Sequence, residues 1–289
     1  MPINHCLIIV KQTALAQGGR AASFARSGDA TAKRILHADA EHQRTIDAVR
    51  QALSKRKIAF GEASLVNLDA RVKGQLAIAD LVISIGGDGT ALGASHYIRG
   101  GAMIGVNSAP GDSVGHFCSV NRKNFEARLD AILSGKVKPK ELARLQIALD
   151  EKPLPELALN DVLIAHECPA STTRYLIKVG RREEEHRSSG IWISTAAGST
   201  AGIGSAGGKK MPLGSKRIQY LVRELYREPK RSYALTRGFI EAGEEITIAS
   251  KMAAGEMYID GAKTRYEFPF GTRARISAAE HGLKIFLNN

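Results

Sequence analysis

One stretch limits what this chain can fold into more than any other: residues 83–90 read ISIGGDGT. An apolar, β-branched run at 81–85 leads into the glycines and has the length of a buried strand. Apolar residues then recur at helical spacing over 91–98. A strand that runs through glycines into a helix presents bare backbone N–H groups at the carboxyl edge of a sheet, where phosphates bind. The stretch therefore predicts an α/β domain with a phosphate-binding loop.

Asp88 stands in the middle of that loop and carries a charge that repels phosphate. A carboxylate suits this place if it holds a metal ion or accepts a proton from the attacking group. The stretch lacks the Gly-Lys-Ser/Thr of a P-loop, and Leu92 breaks the G-x-G-x-x-G dinucleotide spacing. A plain strand–turn–helix joint is the alternative, because glycine and aspartate are ordinary turn residues.

Composition excludes several classes of protein. The 289 residues suffice for two modest domains, and no apolar run approaches the roughly 20 residues of a membrane span. The formal net charge of +12 favours polyanionic ligands such as nucleotide phosphates, but the basic residues are dispersed, so we expect no nucleic-acid and no membrane partner. The chain start lacks a signal-peptide layout, and three scattered cysteines form no disulfide or metal pattern. We therefore expect a cytoplasmic protein.

Strand-like and helix-like segments alternate through the first half of the chain. The pattern predicts strands at 5–10, 63–68, 79–85 and 102–106, helices at 38–57 and 125–133, and a loop at 17–28. This alternation indicates a parallel sheet with helices on its faces, over residues 1–137. From 138 onwards strands prevail, with one expected at 158–165, a solvated hairpin tip at 183–185 and one helix near 215–226. The second domain is therefore expected to be β-rich.

Three short polar motifs stand in the second half. Residues 194–208 are small apart from Ile203, include several hydroxyls and follow an apolar strand, so they could lie against a flat ligand or form a flexible linker. Asn160-Asp161 could bind a ribose diol through an amide and a carboxylate, or could simply be a polar strand end. Asp260-Gly261 reads first as a hairpin turn.

Together these motifs resemble the NAD kinase family, in particular its divergent branch of plant NADH kinase and animal mitochondrial NAD kinase. The matching residues are Gly86–Thr90, Asn160-Asp161, Gly198–Ala201 with Ser205–Gly208, and Asp260-Gly261, and the resemblance extends from about residue 79 to the end. The glycine loop alone is shared with lipid kinases and phosphofructokinases, whereas the combination is far more specific.

The resemblance implies a NAD kinase/diacylglycerol kinase-like fold. Its parts are an α/β amino-terminal domain with a parallel sheet, a carboxyl-terminal β-rich (β-sandwich-like) domain at 138–274, and a last strand at about 275–289 that returns to the first domain. It also implies a homodimer or higher homo-oligomer that binds NAD(H) between the domains. ATP would be the phosphoryl donor, with Mg²⁺ or another divalent cation, and the 2′-hydroxyl of the adenosine ribose of NAD⁺ or NADH the acceptor.

By the same resemblance Asp88 would accept the proton of that hydroxyl, and no metal-ligating residue is assigned. Gly86, Gly87, Gly89 and Thr90 would hold phosphates, Asn160 and Asp161 would bind ribose hydroxyls, and residues 199–202 would flank a base. The full set of residues expected at the nucleotides is Gly86, Gly87, Gly89, Thr90, Asn107, Asn160, Asp161, Thr195, Gly198, Ser199, Thr200, Ala201, Gly202, Ser205 and Asp260.

Two positions depart from the family's common bacterial pattern, which has an aspartate at Ser189 and a tyrosine at Gly202. The missing aromatic ring removes a stacking surface for a base, and the missing carboxylate removes a negative charge near the nicotinamide end. We therefore predict that NADH is used at least comparably with NAD⁺. The alternatives are a lipid kinase of the diacylglycerol or sphingosine type, which shares the glycine loop, and a non-catalytic dinucleotide sensor.

Overall fold

The computed structural model describes residues 3–19, 23, 30–111 and 115–288. The chain forms two compact units, one of residues 1–140 and 284–289 and the other of residues 141–283. Most of the predicted loop at 17–28 lies outside the described residues. Within the described ranges no helix is both long and apolar enough to cross a membrane.

Nineteen strands and five α-helices are described. The strands are β1 (His5–Val10), β2 (Ala59–Ser64), β3 (Leu81–Gly86), β4 (Ala102–Asn107), β5 (Val120–Asn121), β6 (Lys140–Leu142), β7 (Leu145–Leu149), β8 (Lys152–Ala158), β9 (Asp161–His166), β10 (Thr173–Val179), β11 (Arg182–Ser188), β12 (Gly190–Ser194), β13 (Ile218–Arg223), β14 (Arg237–Ile240), β15 (Glu245–Ser250), β16 (Gly255–Ile259), β17 (Thr264–Glu267), β18 (Arg273–Ala278) and β19 (Leu283–Phe286). The helices are α1 (Ala30–Lys55), α2 (Ala70–Ile78), α3 (Asp88–Ser95), α4 (Phe125–Leu133) and α5 (Gly202–Ser205), with a 3₁₀ turn at Ala197–Thr200 before α5.

The first unit is built on a mostly parallel sheet in the order β2-β1-β3-β4-β19-β6, with β5 also paired to β4. Every residue of β3 and β4 is buried, as expected for central parallel strands covered on both faces. Helices α1 and α4 contribute apolar residues to the same core, including Val49, Leu53 and Leu129. This arrangement explains why the continuous apolar runs of the sequence fall on β3 and β4.

Several elements of the first unit differ from their prediction. Helix α1 begins at Ala30 rather than 38, because residues 30–37 are good helix formers and Ala32 is buried. Strand β2 lies at Ala59–Ser64 rather than 63–68, where it pairs residue by residue with β1. Helix α2, capped by the Asp69 carboxylate on Val72 N, was not predicted. Helix α4 spans the predicted residues, 125–133.

The second unit consists of two six-stranded antiparallel sheets, ordered β11-β10-β15-β18-β7-β8 and β14-β13-β12-β9-β16-β17. Inward-facing residues of both sheets form one apolar core, for example Ile177 and Ile248 from the first and Ile164 and Ile193 from the second. Two sheets that share a core in this way make a β-sandwich. The segment at 275–289 was predicted to return to the first domain as one strand. Instead β18 belongs to the sandwich, and only β19 pairs with β4 of the first unit.

Two local predictions in the second unit are wrong, and a third differs in its bounds. The expected helix at 215–226 is strand β13, because Ile218, Tyr220 and Val222 alternate and all point into the core. The expected strand at 158–165 is β9, which begins at Asp161 because residues 159–160 separate it from β8. Residues 183–185 lie inside β11, where the Glu184 carboxylate accepts hydrogen bonds from Ala234 N and Leu235 N.

Candidate active site

The glycine loop of the first unit joins β3 to α3. Gly86 is the last residue of β3, Gly87 has extended backbone angles (φ −116°, ψ −167°) and Asp88 is the first residue of the helix. A Cβ on Gly86 would collide with the side chain of Thr90, whose own Cβ would be 2.9 Å away, so local packing requires this glycine. Apart from its chain neighbours and the backbone of its own helix, a Cβ on Gly89 would meet no heavy atom of the described residues within 4 Å. The open approach that a phosphate needs is therefore at Gly89, which is exposed.

The Asp88 carboxylate is fixed by the loop that follows β4. Its Oδ2 accepts a hydrogen bond from His116 N at 2.9 Å, and its Oδ1 accepts one from Phe117 N at 2.8 Å. The residue is half-buried, and each oxygen retains a second lone pair. No sequence pattern indicates these two donors, which lie 28 and 29 residues further along the chain. The result is a carboxylate of fixed orientation at the start of a helix.

Asn107 lies beside the glycine loop, because it pairs with Gly86 in the register of β3 and β4. It is buried, and its Oδ1 accepts a hydrogen bond from Ala109 N at 3.0 Å. The next residue, Ser108, donates its backbone N–H to Gly86 O at 3.1 Å. The ends of β3 and β4 are thus held together at the edge of the sheet where the sequence placed the site.

A buried histidine at this edge was missed by the sequence analysis. His42 on α1 lies 3.0 Å through Nε2 from Lys11 O and 2.8 Å through Nδ1 from Ser108 Oγ. A carbonyl only accepts, so Nε2 donates to it and, in the neutral ring, Nδ1 accepts from the serine hydroxyl. Burial lowers the pKa of His42, which favours this neutral form. The pair ties α1 to the ends of β1 and β4.

In the second unit, Asp260 holds the predicted ribose-binding motif in place. Its Oδ2 accepts from Leu159 N at 2.8 Å, and its Oδ1 accepts from Asn160 N at 2.7 Å and Asp161 N at 3.0 Å. Asp260 itself has φ 51° in the turn between β16 and β17, as expected for a hairpin. The two motifs are therefore brought together, with Asp260 orienting the other two residues through their backbone.

Asn160 and Asp161 both carry unusual side-chain environments. Asn160 Oδ1 is buried and has no hydrogen-bond partner among the described residues, which makes it available to a donor such as a ligand hydroxyl. Burial, followed by the negative charge of Asp260, raises the pKa of Asp161 to about 7. Near neutral pH the Asp161 carboxyl can therefore either donate or accept a hydrogen bond.

The small-residue segment after β12 folds back onto the same place. Thr195 Oγ1 donates to Leu159 O at 2.6 Å, and Thr195 N donates to Asn160 O at 2.9 Å. Gly198 packs against Asn160 so closely that a Cβ would collide with its carbonyl group. The structure thus brings Thr195 and Gly198 to the Asn160-Asp161 motif, and the segment is a packed turn rather than a loose linker.

The remaining predicted residues of this segment differ in their availability. Ser199 is buried, and its hydroxyl donates to Ala196 O at 2.7 Å and accepts from Met211 N at 3.0 Å, so its hydrogen bonds are internal. Thr200 and Ser205 are exposed, and Ala201 and Gly202 are half-buried. Of the hydroxyl groups, those of Thr200 and Ser205 are the ones that face solvent and can reach a ligand.

A cavity of about 420 Å³ opens next to this cluster within the second unit. Its walls include Asp161, Ser189, Trp192, Arg223 and Tyr258. The volume is in the range of small-molecule sites, and the lining mixes aromatic and polar groups as such sites do. Of the residues that sequence analysis assigned to a ligand, Asp161 contributes to this cavity directly.

Comparison with known proteins identifies relatives along most of the chain. The chain is 34% identical over 268 residues to a probable NADH kinase of rice (Oryza sativa), an alignment that covers 85% of this chain and 81% of the relative. It is 33% identical over 271 residues to an NADH kinase of Arabidopsis thaliana, covering 86% and 84%. No protein-family model matches the chain. The predicted resemblance to plant NADH kinases is confirmed.

Solved structures show the same fold at lower sequence identity. An NAD kinase from Archaeoglobus fulgidus in complex with ATP aligns with a TM-score of 0.69 at 19% identity, covering 98% of this chain and 94% of the other. Yeast NADH kinase complexed with NADH aligns with a TM-score of 0.73 at 14% identity, covering 100% of this chain and 84% of the other. The predicted fold class is confirmed by these likenesses.

Proposed function

Because the chain belongs to the NAD kinase family, we propose that it transfers the γ-phosphoryl group of ATP to the 2′-hydroxyl of the adenosine ribose of NAD⁺ or NADH. The observation that carries the proposal is the orientation of Asp88 by two backbone N–H groups, next to the uncovered backbone of Gly89. A base with a fixed direction and a bare phosphate-binding backbone are what a phosphoryl transfer to a hydroxyl needs.

In the reaction, the 2′-oxygen bonds to the γ-phosphorus while the bond from that phosphorus to the β–γ bridging oxygen breaks, releasing ADP. Asp88 accepts the proton that the hydroxyl loses, using a lone pair that His116 N and Phe117 N leave free. The loop N–H groups of Gly87 and Gly89 bind phosphate oxygens, and the start of α3 favours their negative charge. Thr90, packed on Gly86, supports the shape of the loop.

The described residues suit a divalent cation that arrives on the nucleotide. Among them no group of three or more His, Cys, Asp or Glu side chains converges to make a metal cage. Mg²⁺ is commonly held by one or two carboxylates together with substrate phosphates, and Asp88 is placed to be one of these carboxylates. When bound, the ion would neutralise charge on the phosphates.

We assign the dinucleotide to the cluster of the second unit. Asn160 Oδ1, buried and without a partner in the described part of the chain, would accept a hydrogen bond from a ribose hydroxyl, and Asp161 would bind the neighbouring hydroxyl. Thr200 and Ser205 offer exposed hydroxyls to the polar edge of the ligand. Asp260, Thr195 and Gly198 support this assignment by holding residues 159–161 in position.

We also propose that NADH is accepted at least as well as NAD⁺. Ser189 lies in the wall of the cavity where the common bacterial pattern has an aspartate, and Arg223 lies in the same wall. A cationic nicotinamide ring would have no carboxylate at position 189 to attract it and would be repelled by the guanidinium group of Arg223. Assembly as a homodimer or higher homo-oligomer, the use of Mg²⁺ and a cytoplasmic location remain predictions.

The experiment is a coupled assay of the purified chain with four combinations of substrate: NAD⁺ or NADH with ATP or polyphosphate, each with Mg²⁺. Product is detected by a dehydrogenase that accepts NADP(H) alone. We expect phosphorylation with ATP, and kcat/KM for NADH equal to or above that for NAD⁺. If no combination yields NADP(H), or if diacylglycerol is phosphorylated instead, the proposed function is wrong. If NAD⁺ is strongly preferred, the proposal on the cavity charge is wrong.

A further inference from the structure

Gly202 packs directly against the indole ring of Trp192. A Cβ on Gly202 would be 2.9 Å from both Cη2 and Cζ2 of the indole, closer than real Cβ atoms approach a ring. The backbone of Gly202 is not left-handed, so φ does not demand glycine here. The indole occupies the space that a larger side chain at 202 would need. Position 202 lacks an aromatic side chain, and the indole of Trp192 on β12 therefore occupies the place that such a side chain would take.

Trp192 belongs to a row of paired residues that continues across the sheet on both sides of it. It pairs in register with Leu163 of β9, and Leu163 pairs with Tyr258 of β16. The adjacent row, which includes Ile191 and Ile164, points into the sandwich core and is fully buried. Because side chains alternate between the two faces of a sheet, Trp192, Leu163 and Tyr258 share the opposite face. All three are only half-buried and are not needed to complete the core.

The row forms a wall of the 420 Å³ cavity, together with polar residues. Trp192, Leu163 and Tyr258 line it, and so do the Asp161 carboxyl and the Arg223 guanidinium. A flat apolar wall beside hydrogen-bonding groups suits a heteroaromatic ring that carries a sugar better than it suits an aliphatic chain. Asp161 connects this wall to the ribose-binding motif, since it belongs to both.

We propose that the indole of Trp192 is the stacking surface for a base of the dinucleotide and replaces the aromatic side chain that the family pattern has at 202. The proposal rests on the proposed function, which supplies the dinucleotide. Gly202 is then a glycine because the indole needs its space. Stacking of a base on an aromatic side chain contributes enough affinity that its removal weakens binding about 5- to 150-fold.

The first test compares Trp192→Leu with Trp192→Phe, with Phe270→Leu as a matched control. Phe270 is an aromatic residue of the same unit that is 72% exposed and does not line the cavity. We expect Trp192→Leu to raise the Kd for NADH, measured by calorimetry, by at least about fivefold. Trp192→Phe should stay within about threefold of the wild type, Phe270→Leu should have no effect, and KM for ATP should be unchanged in all three.

The second test restores the ring from the other side. Once Trp192→Leu has emptied the space above it, Gly202→Tyr can be accommodated, whereas Gly202→Tyr alone would have to displace the indole. The double variant Trp192→Leu/Gly202→Tyr should bind NADH more tightly than either single variant. A role of Trp192 in folding alone would not produce this rescue, and its absence in a folded double variant would overturn the proposal.

Binding of a ligand fragment and tryptophan fluorescence identify which ring of the dinucleotide stacks on Trp192. ADP-ribose carries adenine but no nicotinamide, so an equal loss of affinity for ADP-ribose and NADH in Trp192→Leu assigns adenine, and a loss for NADH alone assigns nicotinamide. Trp192 is the only tryptophan of the sequence, so NAD⁺, which does not absorb its emission, should quench the fluorescence by contact. Unchanged fluorescence at saturating NAD⁺ would overturn the stacking.

Two further outcomes separate this proposal from the function on which it rests. If the wild type turns over NADH and Trp192→Leu binds NADH with the Kd of the wild type, the stacking proposal alone is wrong. The same holds if the only effect of Trp192→Leu is a change of oligomer size on gel filtration. If the wild type neither binds nor phosphorylates a dinucleotide, both proposals are wrong.

Discussion

The strongest test of the assigned chemistry is Asp88→Asn, because the change keeps the shape of the side chain and removes its charge. In the wild type each carboxylate oxygen accepts one backbone N–H, from Phe117 at 2.8 Å and from His116 at 2.9 Å. An asparagine can accept one of them and must turn its NH₂ group towards the other. The variant therefore loses one charge-assisted hydrogen bond, which costs about 1.5–3 kcal/mol, and a charge at the start of α3, which costs about 0.3–1 kcal/mol.

The effect on the reaction should be larger than the effect on stability. General-base catalysis contributes about 10²- to 10⁴-fold to a rate, which corresponds to about 2.7–5.4 kcal/mol in the activation barrier. We expect kcat of Asp88→Asn to fall by at least about 100-fold. The Kd for NADH should stay within about threefold, because the contacts that we assign to the dinucleotide, apart from the 2′-hydroxyl that Asp88 faces, are in the second unit. Single-turnover kinetics and calorimetry measure the two quantities separately.

Asp80→Asn is the matched control. Asp80 also binds two backbone N–H groups of the first unit, Asn4 N at 2.9 Å and His5 N at 3.0 Å, but both through Oδ2. An asparagine there can keep both bonds through its amide oxygen, so only the charge is tested. We expect an unchanged kcat. If folded Asp88→Asn keeps kcat within about tenfold of the wild type, Asp88 is an anchor of the loop rather than the base, and the reasoning fails.

Three further predictions concern single residues of the two clusters. Because the pKa of Asp161 is raised in the folded state, the protein loses stability as pH rises from about 4 to about 7. Asp161→Asn should therefore raise the urea midpoint of unfolding at pH 8 and change it little at pH 4, and a larger gain at pH 4 would contradict the assigned pKa. Asn160→Leu should raise KM for NADH about 2- to 12-fold with little loss of stability, because its Oδ1 has no partner among the described residues, and an unchanged KM would remove it from the ribose site. Gly89→Ala should stabilise α3 by about 0.5–1 kcal/mol, since its Cβ meets no described atom, yet raise KM for ATP; equal or better ATP binding would place the phosphates elsewhere.

Much of the scaffold was predictable because it depends on local patterns. The apolar runs at 81–85 and 102–106 could only be central strands, and the structure buries every residue of β3 and β4. The spacing of Phe125, Leu129 and Ile132 fixed helix α4. The helix expected at 215–226 was wrong because Ile218, Leu221 and Val222 also fit the helical spacings of three and four residues, so this short segment matches both periods.

The contacts of the candidate site could not be predicted, because they join residues that are far apart in the chain. Nothing near Asp88 in sequence indicates that residues 116 and 117 orient it, and nothing near Asn160 indicates that Asp260, 100 residues later, holds its backbone. From the sequence alone Trp192 would be assigned to the core, because only the register with Leu163 shows which face of the sheet it is on. The motifs indicated where the polar groups lie, and the fold determines what they contact.

The position of β19 in the sheet has a consequence for how the protein is made. Ala102–Ile104 of β4 pair with residues 284–286, so about 180 residues, including the whole sandwich, separate the two strands along the chain. At a synthesis rate of about 5–20 residues per second, the ribosome exposes this half of β4 on the order of ten to forty seconds before its partner emerges. An unpaired apolar strand edge invites association with other chains. During translation the first unit is therefore the vulnerable one, although its residues are the first to appear.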